Sequence, residues 1–409
     1  MELNDSILYF KTFTSITVGI IVLFIGKGLN ESVKFLRDFS IPNPVTGGFL
    51  FAILSAAVFF IFNIEITFEL GARDVLLVYF FTTIGINARL KDLLVGGKPL
   101  IVLLFITVGF LFIQNLTGIG IAALFGLPAA VGLMSGSISM VGGHGTAIAW
   151  APHIADEYGM ANAMEIGLAC ATFGLILAGI IGGPVANLLI KRNKLEAREV
   201  EPYDVGGSTI EEQENQISHL QILNAVLAIH ICVILGALLN KAIASAGLKL
   251  PLFVTCLLSG IILSNAVPHF FPGFRGHEWP TRKPAMAIIA DVSLGTFLAM
   301  SLMSMKLWTL IGLAGPILSI IGAQFLMAVI VMWFIVFPAM GRNYDAAVIS
   351  AGFGGFTLGS TPTAMANMAA VSQRHGASHL AFIIVPLICA FFIDLANALI
   401  IPLFLKVFG

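Results

Sequence analysis

Two short runs in this chain combine residue types that can hold an anion. Gly142-Gly143-His144-Gly145-Thr146 precedes the helix-forming AIAWA, and Gly359-Ser360-Thr361-Pro362-Thr363 precedes AMANMAAV. In the second run Thr361 is the expected N-cap and Pro362 the first helical residue. Helices starting at Thr146 and Pro362 would present unpaired backbone N–H groups and a positive dipole end, which suit a carboxylate. Glycines allow close backbone approach and positive φ. Tight helix packing is the plainer use of such glycines; it leaves the pairing of a Gly-Gly-His-Gly run with Ser-Thr-Pro-Thr unexplained. Ser135, Ser137 and Asn367 flank the runs and are expected to line the same site. His144 reads equally as a substrate or proton contact and as a hydrogen bond that staples the loop.

A second constellation is Asp394 with Asn397, three apart on one helical face within CAFFIDLANALII. Polar residues at membrane depth are functional candidates by default. Their oxygens suit a sodium ion, a hard cation served by oxygen ligands, or the ammonium of an amino acid; a structural hydrogen-bonded pair is the other reading. Asp291 and Asn87 are further candidate sodium ligands, with helix packing as the competing role for Asp291. Asp74 reads as a helix N-terminal residue, and His230 as a structurally satisfied histidine. Arg73, Arg89, Lys306 and Arg342 fall near the ends of apolar runs, where headgroup anchoring is the simpler role.

The elements that carry these residues belong to a membrane protein. Hydrophobic residues make up 58% of the 409 and charged residues 11%, with mean hydropathy +0.98, against about 25% charged in a soluble domain. A net charge of −1 gives no reason to expect a nucleic-acid partner. Cys170, Cys232, Cys256 and Cys389 lie in apolar runs and read as core hydrophobes. The acidic start MELNDSILYF does not fit a cleavable signal peptide.

A spanning helix takes about 20 apolar residues. The candidates are 7–26, 45–63, 74–88, 99–125, 164–190, 220–246, 252–268, 286–305, 309–337 and 379–407. The stretches 127–150 and 344–370 are too broken to span and too apolar for surface loops, so they read as re-entrant. AAVGLMSGSISMVGGHGTA at 129–147 returns 217 positions later as AAVISAGFGGFTLGSTPTA at 346–364. At the same offset of 217, Asp74 matches Asp291 and Leu90 matches Leu307; Pro42-x-x-Val45-Thr46 returns as Pro251-x-x-Val254-Thr255 at 209. A duplication is implied, with repeats 1–190 and 219–409 joined by the polar linker 191–218.

Alternate connections carry 15 and 6 of the 21 Lys and Arg residues. The basic set belongs in the cytoplasm, which puts both termini outside and the linker inside. Five spans per half then invert the second half relative to the first. Re-entrant stretches entering from opposite faces are a transport-site architecture.

The chain at this point resembles the bacterial sodium/glutamate symporters, the glutamate:sodium symporter family. The likeness is carried by Ile41-Pro42-Asn43-Pro44-Val45-Thr46-Gly47-Gly48, Phe81-Thr82-Thr83-Ile84-Gly85-Ile86-Asn87 and Gly142-Gly143-His144-Gly145-Thr146. It continues in Ala169-Cys170-Ala171-Thr172-Phe173-Gly174-Leu175, Asn343-Tyr344-Asp345-Ala346-Ala347-Val348, Thr361-Pro362-Thr363-Ala364-Met365-Ala366-Asn367 and Phe391-Phe392-Ile393-Asp394. The resemblance implies an all-α polytopic protein of two inverted five-helix repeats with re-entrant loops, a homodimer in the bacterial inner membrane, and sodium-driven L-glutamate uptake. In one respect the chain departs from the family signature. Gly-Gly-x-Gly is intact in the first loop, whereas the second reads Gly359-Ser360-Thr361-Pro362, so the two tips have different roles.

Other readings are an intramembrane enzyme, a passive channel, a sodium-coupled carrier of another small organic anion, and a sodium/proton exchanger. The chain has no Gly-x-Ser-x-Gly, His-Glu-x-x-His or phosphate-loop motif, which disfavours the enzyme and ATP-driven transport.

Overall fold

The computed structural model describes every residue except 1, 5, 39–40, 89–91, 197–217, 246–249, 271–278, 282 and 409; side chains of 2–4, 38, 92–96, 268–270 and 390–391 are also outside the description. Most of the linker and the candidate anchor Arg89 therefore lie outside the described residues.

Apolar composition and internally satisfied backbone make the chain helical. The first half runs α1 (Thr12–Ser32), α2 (Lys34–Asp38), α3 (Asn43–Phe62), α4 (Gly71–Asn87), α5 (Asp92–Leu124), α6 (Ala129–Met134), α7 (Gly143–Tyr158) and α8 (Ala163–Asn193). The second runs α9 (His219–Ser245), α10 (Leu252–Phe270), α11 (Pro284–Met303), α12 (Ala314–Val331), α13 (Phe337–Ala339), α14 (Tyr344–Leu358), α15 (Thr361–His375), α16 (His379–Leu387) and α17 (Ile393–Phe408). A 3-10 segment, Leu307–Leu313, leads into α12. Five-residue π-helical turns, Met332–Val336 and Ile388–Phe392, join α12 to α13 and α16 to α17.

Seven of these helical stretches are long and apolar enough to cross a membrane: α1, α3, the Gly97–Leu124 part of α5, α8, α9, α11 and Leu307–Ala339. The other expected spans are helical but shorter or interrupted: α4, α10 and the α16–α17 pair. Both broken stretches form a helix–break–helix unit, α6–α7 and α14–α15.

Two sequence expectations need correction. The first span begins at Thr12, because Ile7–Phe10 is strand β2, paired antiparallel with β1 (Glu2–Asn4) and parallel with β3 (Glu65–Phe68). Phe10 stacks on Phe68 with ring centroids 5.1 Å apart. A four-residue apolar run has no periodicity that separates strand from helix. The all-α class therefore holds apart from this small sheet. Glu69, just past β3, accepts the Thr12 backbone N–H at 2.8 Å. Those hydrogen bonds from Thr12 hold its carboxyl below the usual carboxylate range.

The helices sort into two bundles by their most extensive packing. In one, α1, α3, α4, α9, α10 and α11 lie against each other; in the other, α5, α8, α12 and α14 gather the broken elements around them. Close crossings use glycine. A side chain on Gly26 would collide with the Asn43 carbonyl, and one on Gly47 with that of Val22, so α1 and α3 touch backbone to backbone. Asn30 donates to the Ile41 carbonyl at 2.7 Å, and Asn240 to that of Leu250 at 2.8 Å. Each acceptor immediately precedes the proline of the Pro-x-x-Val-Thr match.

We expect Gly47→Leu to destabilise the folded protein by more than the roughly 1–3 kcal/mol of ordinary overpacking, because backbone atoms must yield. Gly28→Ala, which meets open space, is the control. Thermal unfolding in detergent reads both, and equal melting temperatures would contradict the α1–α3 crossing.

Candidate functional site

The two helix breaks meet. Gly143 has φ +67°, and a Cβ there would sit 3.7 Å from the Gly359 carbonyl oxygen. Gly174 of α8 lies between them; its Cβ position collides with the Leu358 carbonyl and is 3.1 Å from the Met140 sulfur. Only glycine lets α8 run past both breaks at that distance. Both tips are partly open to solvent: Gly142, Gly143 and Gly145 on one side, Ser360, Thr361 and Pro362 on the other. The first tip also faces the other bundle, since a Cβ on Gly145 would lie 3.7 Å from Phe297 of α11 and 3.9 Å from Phe80 of α4.

Neither helix start after a break has a side-chain cap on its backbone N–H groups. The α7 helix starts at Gly143 and not at Thr146, because the left-handed turn at Gly143 already aims the chain along the helix. The cap of α15 is Ser360 (φ −158°, ψ 171°), one residue earlier than expected, with Thr361 and Pro362 in the first turn. The Ser360 hydroxyl turns to Thr363 Oγ1 at 3.1 Å instead of to the backbone. Uncapped amides at both tips remain available to an anion.

The buried residues around the breaks act as braces. His144 donates from Nε2 to Thr172 Oγ1 at 3.0 Å, since the Thr172 hydroxyl is itself committed to the Leu168 carbonyl; this is the kind of bond the staple reading expects. Asn367, expected to line the site, is 5% exposed and donates to the Ala178 carbonyl of α8 at 2.9 Å and to Ala351 of α14 at 3.4 Å. Those two bonds from Nδ2 tie α15 to α8 and α14. The Ser135 hydroxyl closes onto Val131 at 2.8 Å within its own helix turn. Thr146 and Thr363 are buried one turn inside their helices.

Of the proposed sodium ligands, Asn397 reaches the first break, donating to the Ser137 carbonyl at 3.3 Å. Asp394 is half-buried at the start of α17, just past the π-helical turn. Asn87 ends α4, next to Ala88, which packs against Phe392 beside Leu395. Asp291 is exposed on α11 with its neighbour Val292. No hydrogen bond or ion pair among the described residues ties it to either break. Asp74 sits in the first turn of α4 as expected and pairs with Arg73 at 2.6 Å. His230 bonds the Tyr79 hydroxyl. Lys306 pairs with Glu65 at 2.6 Å.

Sequence reasoning missed Gln114 and Asn115. They are adjacent and fully buried in α5, and each serves a different break. Asn115 Oδ1 accepts the Ser137 N–H at 2.9 Å, and Gln114 donates to the Thr357 carbonyl at 3.0 Å. Gln324 of α12 braces the pair by donating to the Gln114 carbonyl at 2.8 Å. Two consecutive amides inside an apolar span were the available signal.

Two interrupted helices meeting among apolar spans, each ending in uncapped amides, define the class of multi-pass membrane transporters. A family model described as sodium/glutamate symporter matches residues 8–377. The chain is 41% identical to the sodium/glutamate symporter of Escherichia coli (strain K12), over 97% of this chain and 98% of that one. It is 40% identical to that of Haemophilus influenzae, covering 95% and 96%. The chain belongs to the sodium/glutamate symporter family, and as a member of it is not an enzyme. A solved sodium proton antiporter from Methanocaldococcus jannaschii aligns over 97% of this chain and 99% of that one at 14% identity with TM-score 0.42, too distant to carry an argument.

We expect Gly143→Ala to abolish transport. It places a residue in the left-handed region, at about 1–2 kcal/mol, and puts a methyl between the tips. Gly159→Ala bears the same backbone cost at φ +69° but meets open space and should retain transport. Equal uptake by both variants in proteoliposomes would remove the tip from the site.

Proposed function

We propose that this protein is a secondary active transporter carrying L-glutamate into a bacterial cell with sodium by alternating access, as a homodimer in the inner membrane. Beyond family membership, the observation that carries this reading is the meeting of two uncapped helix starts at Gly143 and Ser360. Between them they offer backbone N–H donors, with the hydroxyls of Ser360 and Thr361 half-buried beside them, to a dicarboxylate. Glutamate carries net negative charge, so an inside-negative potential opposes its entry by about 2.3 kcal/mol per charge per 100 mV. Coupling to more than one sodium ion per glutamate reverses that sign. Asp394, with Asn87 close by, is assigned to one of those ions.

The inverted ten-span arrangement draws support from which ends touch. Elements placed at the outer face pair with each other: β2 with β3, Lys306 with Glu65, and the Lys306 N–H with Glu165 at 3.2 Å. Elements placed at the inner face do the same. His375 bonds Asn187 at 2.7 Å, Arg192 lies over the Trp333 ring at 5.6 Å, and Ser264 and Asn265 both reach the Ala88 carbonyl. Alternating access is then a movement of the bundle holding both breaks against the α1–α3–α4 and α9–α11 bundle, with the tips at the boundary.

Purified protein in proteoliposomes should accumulate glutamate against its gradient only when a sodium gradient points inward, and Asp394→Asn should raise the sodium concentration needed. Downhill, sodium-independent flux would mean a channel; sodium-driven pH change without glutamate movement would mean an exchanger.

Topology and access are read together by thiol labelling. A cysteine replacing Val205, in the linker, should be reached only from the cytoplasm. Ser360→Cys should react with an impermeant reagent from outside in at least one state, and substrate should protect it. Labelling of position 205 in intact cells would overturn the inverted arrangement. Ser360→Cys reactivity confined to the cytoplasm under every condition would overturn the shared site.

A further inference from the structure

The first break contains a set of buried polar atoms that the protein leaves unpaired. Ser137 Oγ, Asn397 Oδ1 and Asn115 Nδ2 have no hydrogen-bond partner among the described residues. Their residues are 0%, 1% and 0% exposed. All three surround one backbone unit, since Asn115 accepts the Ser137 N–H and Asn397 donates to the Ser137 carbonyl. A buried polar group without a partner costs about 1–3 kcal/mol, so the two unpaired oxygens, Ser137 Oγ and Asn397 Oδ1, point to a missing ligand that takes lone pairs. Asn115 Nδ2 is a donor and is not among its contacts, while Asn115 Oδ1 keeps a second lone pair beside the Ser137 N–H.

The surroundings are oxygen-rich. The α6 helix ends at Met134, and the Gly136 N–H turns to the Leu133 carbonyl at 3.0 Å. The Gly132 carbonyl is thereby freed toward α5, where a side chain on Gly118 would collide with it. A Cβ on Gly136 would meet Asn115 Oδ1 at 2.8 Å and the Gly132 oxygen at 2.9 Å. The end of a half-helix carries the negative pole of its dipole, which favours a cation. Uncharged carbonyl and hydroxyl oxygens suit a small hard cation. Full burial disfavours an amino acid there, because the residues present no open face to admit one.

We infer that a sodium ion binds at the first break, held by Ser137 Oγ, Asn397 Oδ1, Asn115 Oδ1 and the Gly132 carbonyl. The seat rests on the symport reading for the identity of the ion and goes beyond it by placing α5 and the end of α6 around that ion. It is distinct from the Asp394 position, one helical turn back on α17.

Ser137→Ala is the sharpest test, because the hydroxyl has no protein partner and its removal should leave the sodium-free protein as stable as the wild type. With choline replaced by sodium and no glutamate present, the wild type should gain thermal stability. Ser137→Ala and Asn397→Ala should each need roughly tenfold more sodium or greater for the same gain, as expected for a lost ligand to a charged group. The half-activating sodium concentration for glutamate uptake should rise in parallel. Unchanged sodium dependence in both variants, with wild-type uptake still sodium-driven, overturns the seat while the symport reading stands. Loss of stability of Ser137→Ala in choline would make the hydroxyl structural, and would also overturn the seat. A wild type that neither binds sodium nor couples to it overturns both readings.

Discussion

Backbone polar groups inside an apolar environment need partners, and each helix break removes several. This constraint organises the rest of the molecule. The breaks at 135–142 and 359–360 expose carbonyls at the ends of α6 and α14 and amides at the starts of α7 and α15. Each is approached by something shaped to it. Gln114 covers the Thr357 carbonyl, Asn115 and Asn397 take the backbone N–H and carbonyl of Ser137, and Gly174 lets α8 pass against Leu358. Leaving one such group unpaired at this depth costs several kcal/mol.

Seven of the ten expected spans and both helix breaks were legible because apolar runs of about 20 residues and clustered Gly, Ser and Thr are direct consequences of that constraint. Ser137, Gly143, Ser360 and Asn397 could be picked out by type and position alone. The braces could not. Asn367 and His144 look like site residues in sequence, and only the neighbouring Ala178 carbonyl and Thr172 hydroxyl show how they are occupied. Periodicity did not say that Asp291 stands on an exposed face of α11. The strand at Ile7–Phe10 depends on β3, more than fifty residues away, for its pairing.

The two breaks share a sequence pattern at an offset of 217, and chemistry explains where they diverge. The first has glycines at 142, 143 and 145 and a positive φ at its tip, so backbone dominates what it can offer. The second has an extended Ser360 followed by Thr361 and Pro362, which withdraws one N–H and adds hydroxyls. A substrate with two carboxylates and an ammonium has unlike ends, and unlike tips can tell them apart.

The proposed ion seat and the proposed substrate tip share a backbone connection. The Ser137 carbonyl accepts both the Asn397 amide and, at 2.9 Å, the Gly142 N–H. A cation that draws in Ser137 Oγ and Asn397 Oδ1 therefore fixes the carbonyl from which Gly142 hangs, and with it the orientation of the next amide, at Gly143. Without the ion, Asn397 and Ser137 retain unmet polar atoms and the turn has alternatives available to it. A glutamate carboxylate binding at Gly143 would then bear the cost of ordering the tip; with the ion in place that ordering has already occurred. Coupling of this kind is reciprocal, so glutamate should tighten sodium binding by the same factor that sodium tightens glutamate. Charge attraction between sodium and the carboxylate is not required for it, because the link runs through one turn of backbone.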